Sequence, residues 1–119
     1  MPKTILMVDD SPTELKHMMT ALSAKGYTVM TAVDGEEALS KVASLRPDVI
    51  LLDVVLPKKN GFQVCRQLKT TADTRDIKIV LVTSKNQDSD RFWGMKQGAD
   101  GYLTKPFKPE ELAELVGRM

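Results

Sequence analysis

The stretch Asp48-Val49-Ile50-Leu51-Leu52-Asp53 decides the fold, because four consecutive aliphatic residues stand there between two carboxylates. A strand with one solvated face alternates polar and apolar residues; an unbroken apolar run this short suits a strand covered on both sides, the condition of a parallel sheet. Similar short runs recur at Thr4–Val8, Tyr27–Ala32, Ile77–Val82 and Gly101–Thr104, and Asp48–Leu52 is the third of the five. The stretches between them have helical spacing. Leu15, Met18, Met19 and Leu22 form one stripe; Ala38, Leu39 and Val42, then Val64, Cys65 and Leu68, then Phe92 and Met95, then Leu112, Leu115 and Val116 repeat it. We therefore expect each of these residues, the Met18–Met19 pair included, to face a core.

The punctuation agrees. Ser11-Pro12-Thr13-Glu14 reads as a capping box with proline at the first helical position, and Gly26 follows that helix where a left-handed residue is wanted. Asp34 opens the second helix with Glu36 and Glu37 in its first turn; Asn60 caps the third, and Pro109-Glu110-Glu111 begins the fifth. Strands alternating with helices make βαβ units with right-handed crossovers. The expected fold is one α/β domain over residues 1–119, a doubly wound five-stranded parallel sheet with five helices.

Composition narrows the function. Lys+Arg 17 against Asp+Glu 16 gives a net charge of +1, without the basic excess of an electrostatic nucleic-acid binder. Cys65 is the sole cysteine, so no internal disulfide forms, and a reducing, cytoplasmic setting is expected. No apolar run nears the roughly 20 residues of a membrane helix, so no membrane insertion is expected.

Ligands of doubly wound sheets bind beyond the carboxyl ends of the strands. Asp9 and Asp10 follow the first strand, Asp53 the third, Thr83 and Ser84 the fourth, and Lys105-Pro106 the fifth. A lone strand-end aspartate is usually a turn or cap residue, but four consecutive ends carrying this set are hard to obtain by chance. Crowded carboxylates ionise together only at a cost unless a cation is present. Hard oxygen ligands with open positions suit Mg2+. Lys105 supplies a point charge for a phosphoryl oxygen, and Thr83 a hydrogen-bond donor for another.

These residues resemble the receiver domains of two-component response regulators. The match runs through Val8-Asp9-Asp10-Ser11, Leu52-Asp53-Val54-Val55-Leu56-Pro57, Asn60-Gly61, Val82-Thr83-Ser84, Gly98-Ala99-Asp100 and Tyr102-Leu103-Thr104-Lys105-Pro106-Phe107, and it covers the whole chain. Ser11-Pro12-Thr13-Glu14 and Phe92-Trp93-Gly94 look most like the stand-alone receivers of twitching-motility and chemotaxis-like pathways. The resemblance implies strand order 2-1-3-4-5, phosphotransfer from a histidine kinase to Asp53, and a Mg2+ ion held by Asp10, Asp53 and the Val55 carbonyl, with Asp9 acting through water. It also implies a cis Lys105–Pro106 bond that aims the lysine inward. Thr83 and Tyr102 would be the switch, with Tyr102 turning inward. The fourth helix, fifth strand and fifth helix would form the surface for a downstream protein target, as monomer or weak dimer.

Trp93, on that surface, is the expected partner-binding residue, with Tyr102 beside it; aromatic anchors are enriched where partners dock. Ser84 stands where many members of the family carry alanine and narrows access to the phosphoryl group. His17 reads as an ordinary surface histidine, Cys65 as packing, and Lys58 and Lys59 as a solvated turn. Three other readings are weaker. An aspartate-based phosphohydrolase would want an acid two residues after the nucleophile, where Val55 stands. A flavodoxin-like carrier would not tolerate Asp9-Asp10 in its phosphate loop. A pseudo-receiver would not need all of Asp10, Asp53, Thr83 and Lys105. A receiver cut from a longer regulator would carry the same residues.

Overall fold

A computed structural model describes residues 3–119. Its elements are β1 (Thr4–Val8), α1 (Pro12–Ser23), β2 (Thr28–Ala32), α2 (Gly35–Leu45), β3 (Val49–Leu52), α3 (Gly61–Lys69), β4 (Lys78–Thr83), α4 (Asp88–Lys96), β5 (Gly101–Thr104) and α5 (Pro109–Gly117). All strand pairs are parallel, in the order β2-β1-β3-β4-β5. The expected fold and strand order are both found.

The aliphatic runs divide by alternation. Leu6, Val8, Ile50, Leu52, Ile79 and Leu81 face one core with Ala38 and Val42 of α2 and Val64, Cys65 and Leu68 of α3. Ile5, Met7, Val49, Leu51, Val80 and Val82 face the other, with Leu15, Met18 and Leu22 of α1 and Leu112 and Val116 of α5. Two dry faces on three central strands explain why β1, β3 and β4 read as continuous apolar runs. Each fully buried aliphatic side chain contributes roughly 1.5–3 kcal/mol, so the sheet is a rigid platform for what projects from its ends.

Local signals hold with two amendments. Ser11, Asp34 and Asn60 cap α1, α2 and α3 through their side chains. At α1 only half of the expected box forms: Ser11 Oγ accepts from the Glu14 N–H, but the Ser11 N–H donates to Asp9 Oδ1 at 3.0 Å. The Asp9 carboxylate, two residues away, takes the N–H that the Glu14 carboxylate would accept in a full box. The start of α1 and the orientation of Asp9 are thus one structure.

The second amendment concerns the apolar stripes. Met18 is buried but Met19 is 38% exposed, and Phe92 and Met95, expected to face a core, are exposed. In α4 the buried residue is Gly94, and a Cβ there would stand 2.7 Å from Leu81 Cδ1 and 3.2 Å from the Tyr102 ring. The helix lies so close to the sheet that its backbone fills the contact, and its large side chains turn outward.

Cys65 lies fully buried against the sheet, as expected. Burial pushes its thiol up to about 12, with the Asp100 charge adding and the Lys69 charge opposing. Thiolate is the reactive form. Native protein at pH 8 should therefore leave Cys65 unmodified by a disulfide reagent over a period in which urea-unfolded protein reacts completely; fast native labelling would contradict this packing.

Candidate functional site

The carboxyl ends of β1, β3, β4 and β5 surround a cavity of about 570 Å3 lined by Asp9, Asp10, Ser11, Glu14, His17, Asp53, Val55, Ser84, Lys105, Pro106 and Phe107. The sheet sets the aspartates by its own hydrogen bonds. The Asp9 N–H donates to the Ala32 carbonyl at 3.1 Å and the Asp53 N–H to the Val8 carbonyl at 3.0 Å. Both residues continue the parallel ladder by one step, which leaves their side chains at its mouth.

The carboxylates of Asp9, Asp10 and Asp53 place one oxygen each within 4.8 Å of one another. Asp9 and Asp53 are buried, whereas Asp10 is exposed. Lys105 balances the buried pair: its Nζ lies 2.6 Å from Asp9 Oδ2 and 3.3 Å from Asp53 Oδ2. Burial alone would push the lysine amine down; the hydrogen bond it donates to Asp9 and the charges of Asp53, Asp9 and Glu14 outweigh it and hold the amine above the ordinary lysine range. Lys105 therefore stays charged at neutral pH. The Lys105–Pro106 bond is cis, as the resemblance implied, and the Lys105 N–H donates to the Thr83 carbonyl at 2.9 Å.

The floor is fixed by backbone. Asp53 Oδ1 accepts from the Val55 N–H at 3.2 Å, and the Gly61 N–H donates to the Val54 carbonyl at 2.8 Å. Gly61, the first residue of α3, lies so close that a Cβ would collide with the Asp53 carbonyl oxygen. Between them Lys58 adopts a left-handed φ of 67°, and the Lys59 N–H closes a three-residue turn onto Pro57 O at 2.8 Å. This tight turn was read in the sequence only as solvated; a non-glycine residue in this region stores strain, a common feature beside functional sites.

Thr83 is fully buried at the end of β4, and its Oγ1 accepts from the Lys85 N–H at 3.4 Å. Tyr102 donates its hydroxyl to the Lys85 carbonyl at 2.8 Å. The same peptide segment is held from both sides. The Tyr102 ring already sits inward and is 8% exposed, against Gly94 and beneath the Arg91 guanidinium, which lies 5.0 Å from its centroid. Burial, the Asp90 charge and more distantly Asp53 raise its phenol above the ordinary value, with Arg91 opposing. Ser84 lies in the cavity wall and is exposed; Trp93 is half exposed on α4, away from the cavity lining.

His17 is exposed, as expected, but not isolated. Its ring stacks on Phe107 with centroids 5.9 Å apart and an interplanar angle of 12°, and both rings line the cavity. Nothing in the periodicity of α1 signals this, because Phe107 is 90 residues away in sequence.

An acidic pocket with one half-buried lysine, beside a buried threonine and tyrosine, at the end of a parallel sheet of this order defines a signalling receiver rather than a metabolic enzyme. Residues 5–117 match the family described as the response regulator receiver domain, and the chain belongs to that family. Protein PilH of Pseudomonas aeruginosa is 43% identical over 112 residues, 94% of this chain and 93% of its own. The response regulator MprA of Mycolicibacterium vanbaalenii is 46% identical over 94% of this chain, but the match spans only 48% of that protein. Among solved structures, the chemotaxis response regulator CheY4 of Vibrio cholerae superposes with a TM-score of 0.93 at 34% identity, covering 99% of this chain and 98% of that one. Among the described residues no helix is long and apolar enough to cross a membrane.

Two substitutions test this geometry. Gly61→Ala should lower stability by about 1–3 kcal/mol in urea unfolding, because the colliding atom is backbone and has little room to yield. Asp10→Asn should raise the stability of metal-free protein by about 1 kcal/mol, since it removes one of three crowded negative charges. A loss of stability in EDTA would show that the three carboxylates do not repel.

Proposed function

We propose that the chain is a phosphoacceptor in a two-component pathway, taking a phosphoryl group from a histidine kinase onto Asp53. The observation that carries this reading is the Asp53 carboxylate at the floor of an open cavity, with Lys105 Nζ 3.3 Å from Oδ2 and a backbone N–H on Oδ1. One oxygen of Asp53 attacks phosphorus as the bond to the donor nitrogen breaks. The Lys105 amine meets the charge of the transferring group, whose loose transition state asks for positioning and electrostatics. No other carboxylate follows Asp53 within the next few residues to activate water, so the protein acts on its own aspartyl phosphate and on no separate substrate.

The donor set fits Mg2+: three carboxylates with oxygens within 4.8 Å of one another, all hard ligands around an open cavity. Asp10, Asp53 and the Val55 carbonyl would hold the ion. Asp9 would act through water, in keeping with its oxygens being engaged by Lys105 and the Ser11 N–H. The ion, when bound, neutralises charge on the phosphoryl oxygens.

Thr83 and Tyr102 form the switch in this reading. A phosphoryl group adds charge and acceptor oxygens; drawing the Thr83 hydroxyl toward them loosens its hold on the Lys85 N–H, and the Tyr102 hydroxyl grips the carbonyl of that same residue. The change reaches α4, where Trp93 stands half exposed. The downstream partner is a protein that docks on the α4-β5-α5 surface, and the pathway one of twitching motility or taxis, supported by the near-full-length match to PilH and by the likeness to a chemotaxis regulator. We further propose a cytoplasmic protein without nucleic-acid contacts of its own, monomeric or weakly dimeric. The half-length match to MprA favours a second reading, the receiver of a longer regulator.

Intact mass after incubation with acetyl phosphate and Mg2+ is the test. The protein should gain one phosphoryl group, and neither Asp53→Asn nor EDTA-treated protein should. No gain in the parent protein would make the chain a pseudo-receiver; a gain that survives Asp53→Asn would move the nucleophile elsewhere.

A further inference from the structure

Helix α4 exposes Phe92, Trp93 and Met95, an apolar patch of the kind that marks an interaction site. These side chains do not all serve the α4-β5-α5 surface. Successive residues of a helix turn by about 100°, so Trp93 stands about 200° round from Arg91. Arg91 belongs to the flank beside β5: its Nη1 donates to the Tyr102 carbonyl at 3.3 Å, and its guanidinium lies over the Tyr102 ring. Trp93 is on the opposite flank, one turn before Gln97, whose carbonyl accepts from the Cys65 thiol of α3 at 3.6 Å. Lys69, one turn after Cys65, reaches the far end of α4. A Cβ on Gly98 would stand 2.9 Å from the Lys69 Cβ, and Lys69 Nζ lies 2.7 Å from Asp100 Oδ2. The tryptophan therefore borders a seam between α3 and α4, on the side of α4 away from α5.

The two flanks of α4 also differ in charge. α3 carries Arg66 and Lys69 and no acid; the acids of α4 stand in its first turn and Lys96 in its last. Arg66 lies on the same stripe of α3 as Lys69, and Lys96 follows Trp93 by three residues on α4. Asp100 neutralises Lys69, whereas among the described residues Arg66 and Lys96 form no ion pair. The β5–α5 side instead carries Glu111 and Glu114. We propose that the seam between α3 and α4 is a second docking surface, for an acidic amphipathic helix of a partner protein. Trp93 is the apolar anchor, and Arg66 and Lys96 meet the carboxylates of the guest. Two neighbouring helices that run the same way offer a seam along which a third can lay its apolar face. Two unpaired cations are too few to hold a nucleic-acid backbone, and a tryptophan rimmed by charge suits a protein guest. The surface needs no phosphoryl group, so it stands apart from the assignment of Asp53.

The probe is a fluorescein-labelled helical peptide with leucine at i, i+3, i+4 and i+7 and glutamate or alanine elsewhere, read by anisotropy beside the same peptide with lysine for glutamate. The acidic peptide should bind and the basic one should not. Trp93 is the sole tryptophan, so its emission should shift to the blue as the acidic peptide covers it. Trp93→Ala should weaken binding by roughly tenfold or more, the worth of an anchor residue. Arg66→Glu and Lys96→Glu, both at exposed positions, should each weaken it by roughly two- to tenfold. Arg118→Glu changes the net charge by the same amount on the α5 side and should leave the affinity unchanged. An equal loss in Arg118→Glu would overturn the proposal, because the attraction would then be one of net charge or of the β5–α5 side. No binding by the parent protein, or equal binding of the basic peptide, would overturn it too. Binding to phosphatidylglycerol vesicles that Arg66→Glu abolishes, with the acidic peptide unbound, would assign the seam to a membrane surface instead.

Discussion

The site depends on one half-buried cation. Lys105 brings a charged amine to the mouth of the sheet between Asp9, 1% exposed, and Asp53, 8% exposed, from strands β1 and β3. Two carboxylates that far out of water cannot remain ionised side by side without a counter-charge. The amine supplies it while keeping contact with both. The same charge that makes the acidic cluster tolerable is the one a phosphoryl group would need, so the fold has a structural reason to hold its lysine there whether or not a phosphoryl group is bound. Because Asp9 also takes the Ser11 N–H, the start of α1 is tied to this cluster.

The floor of the cavity shows how backbone, not side chains, sets precision. Asp53 is fixed by a ladder bond to Val8, by the Val55 N–H on its carboxylate, and by α3 pressed against it at Gly61. Asn60 and Gln63 cap α3 reciprocally, which holds its first turn against that loop. A left-handed Lys58 lets the chain turn tightly enough to bring Gly61 there. Small errors in this loop would move the Asp53 carboxylate, the phosphoacceptor under the proposed function, and positioning errors of that scale are costly in catalysis.

At the other side of the cavity, Lys85 links the threonine and tyrosine in a way neither residue reveals alone. Gly94 creates the room in which Tyr102 lies, and the tight approach of α4 that results turns Phe92, Trp93 and Met95 out to solvent, where Lys96 covers part of Phe92. A buried ring and an exposed apolar helix face are two consequences of one missing side chain.

Much was legible in the residues themselves. Unbroken aliphatic runs fix a parallel sheet, because only burial on both faces removes the need for polar alternation, and Ser11, Asp34 and Asn60 mark helix starts by short-range hydrogen bonds that sequence encodes directly. Given that sheet, Asp9, Asp10, Asp53, Thr83 and Lys105 had to meet at one edge, since parallel strands end on the same side. What the sequence did not contain was distance across the fold. The orientation of α4 followed from how closely Gly94 approaches Leu81, and periodicity alone put Phe92 and Met95 on the wrong side. The stack of His17 on Phe107, the grip on Lys85 and the pairing of Lys105 with Asp9 join residues up to 96 positions apart. Such contacts depend on how helices are seated on the sheet, and packing in three dimensions, not any local pattern of residues, decides that.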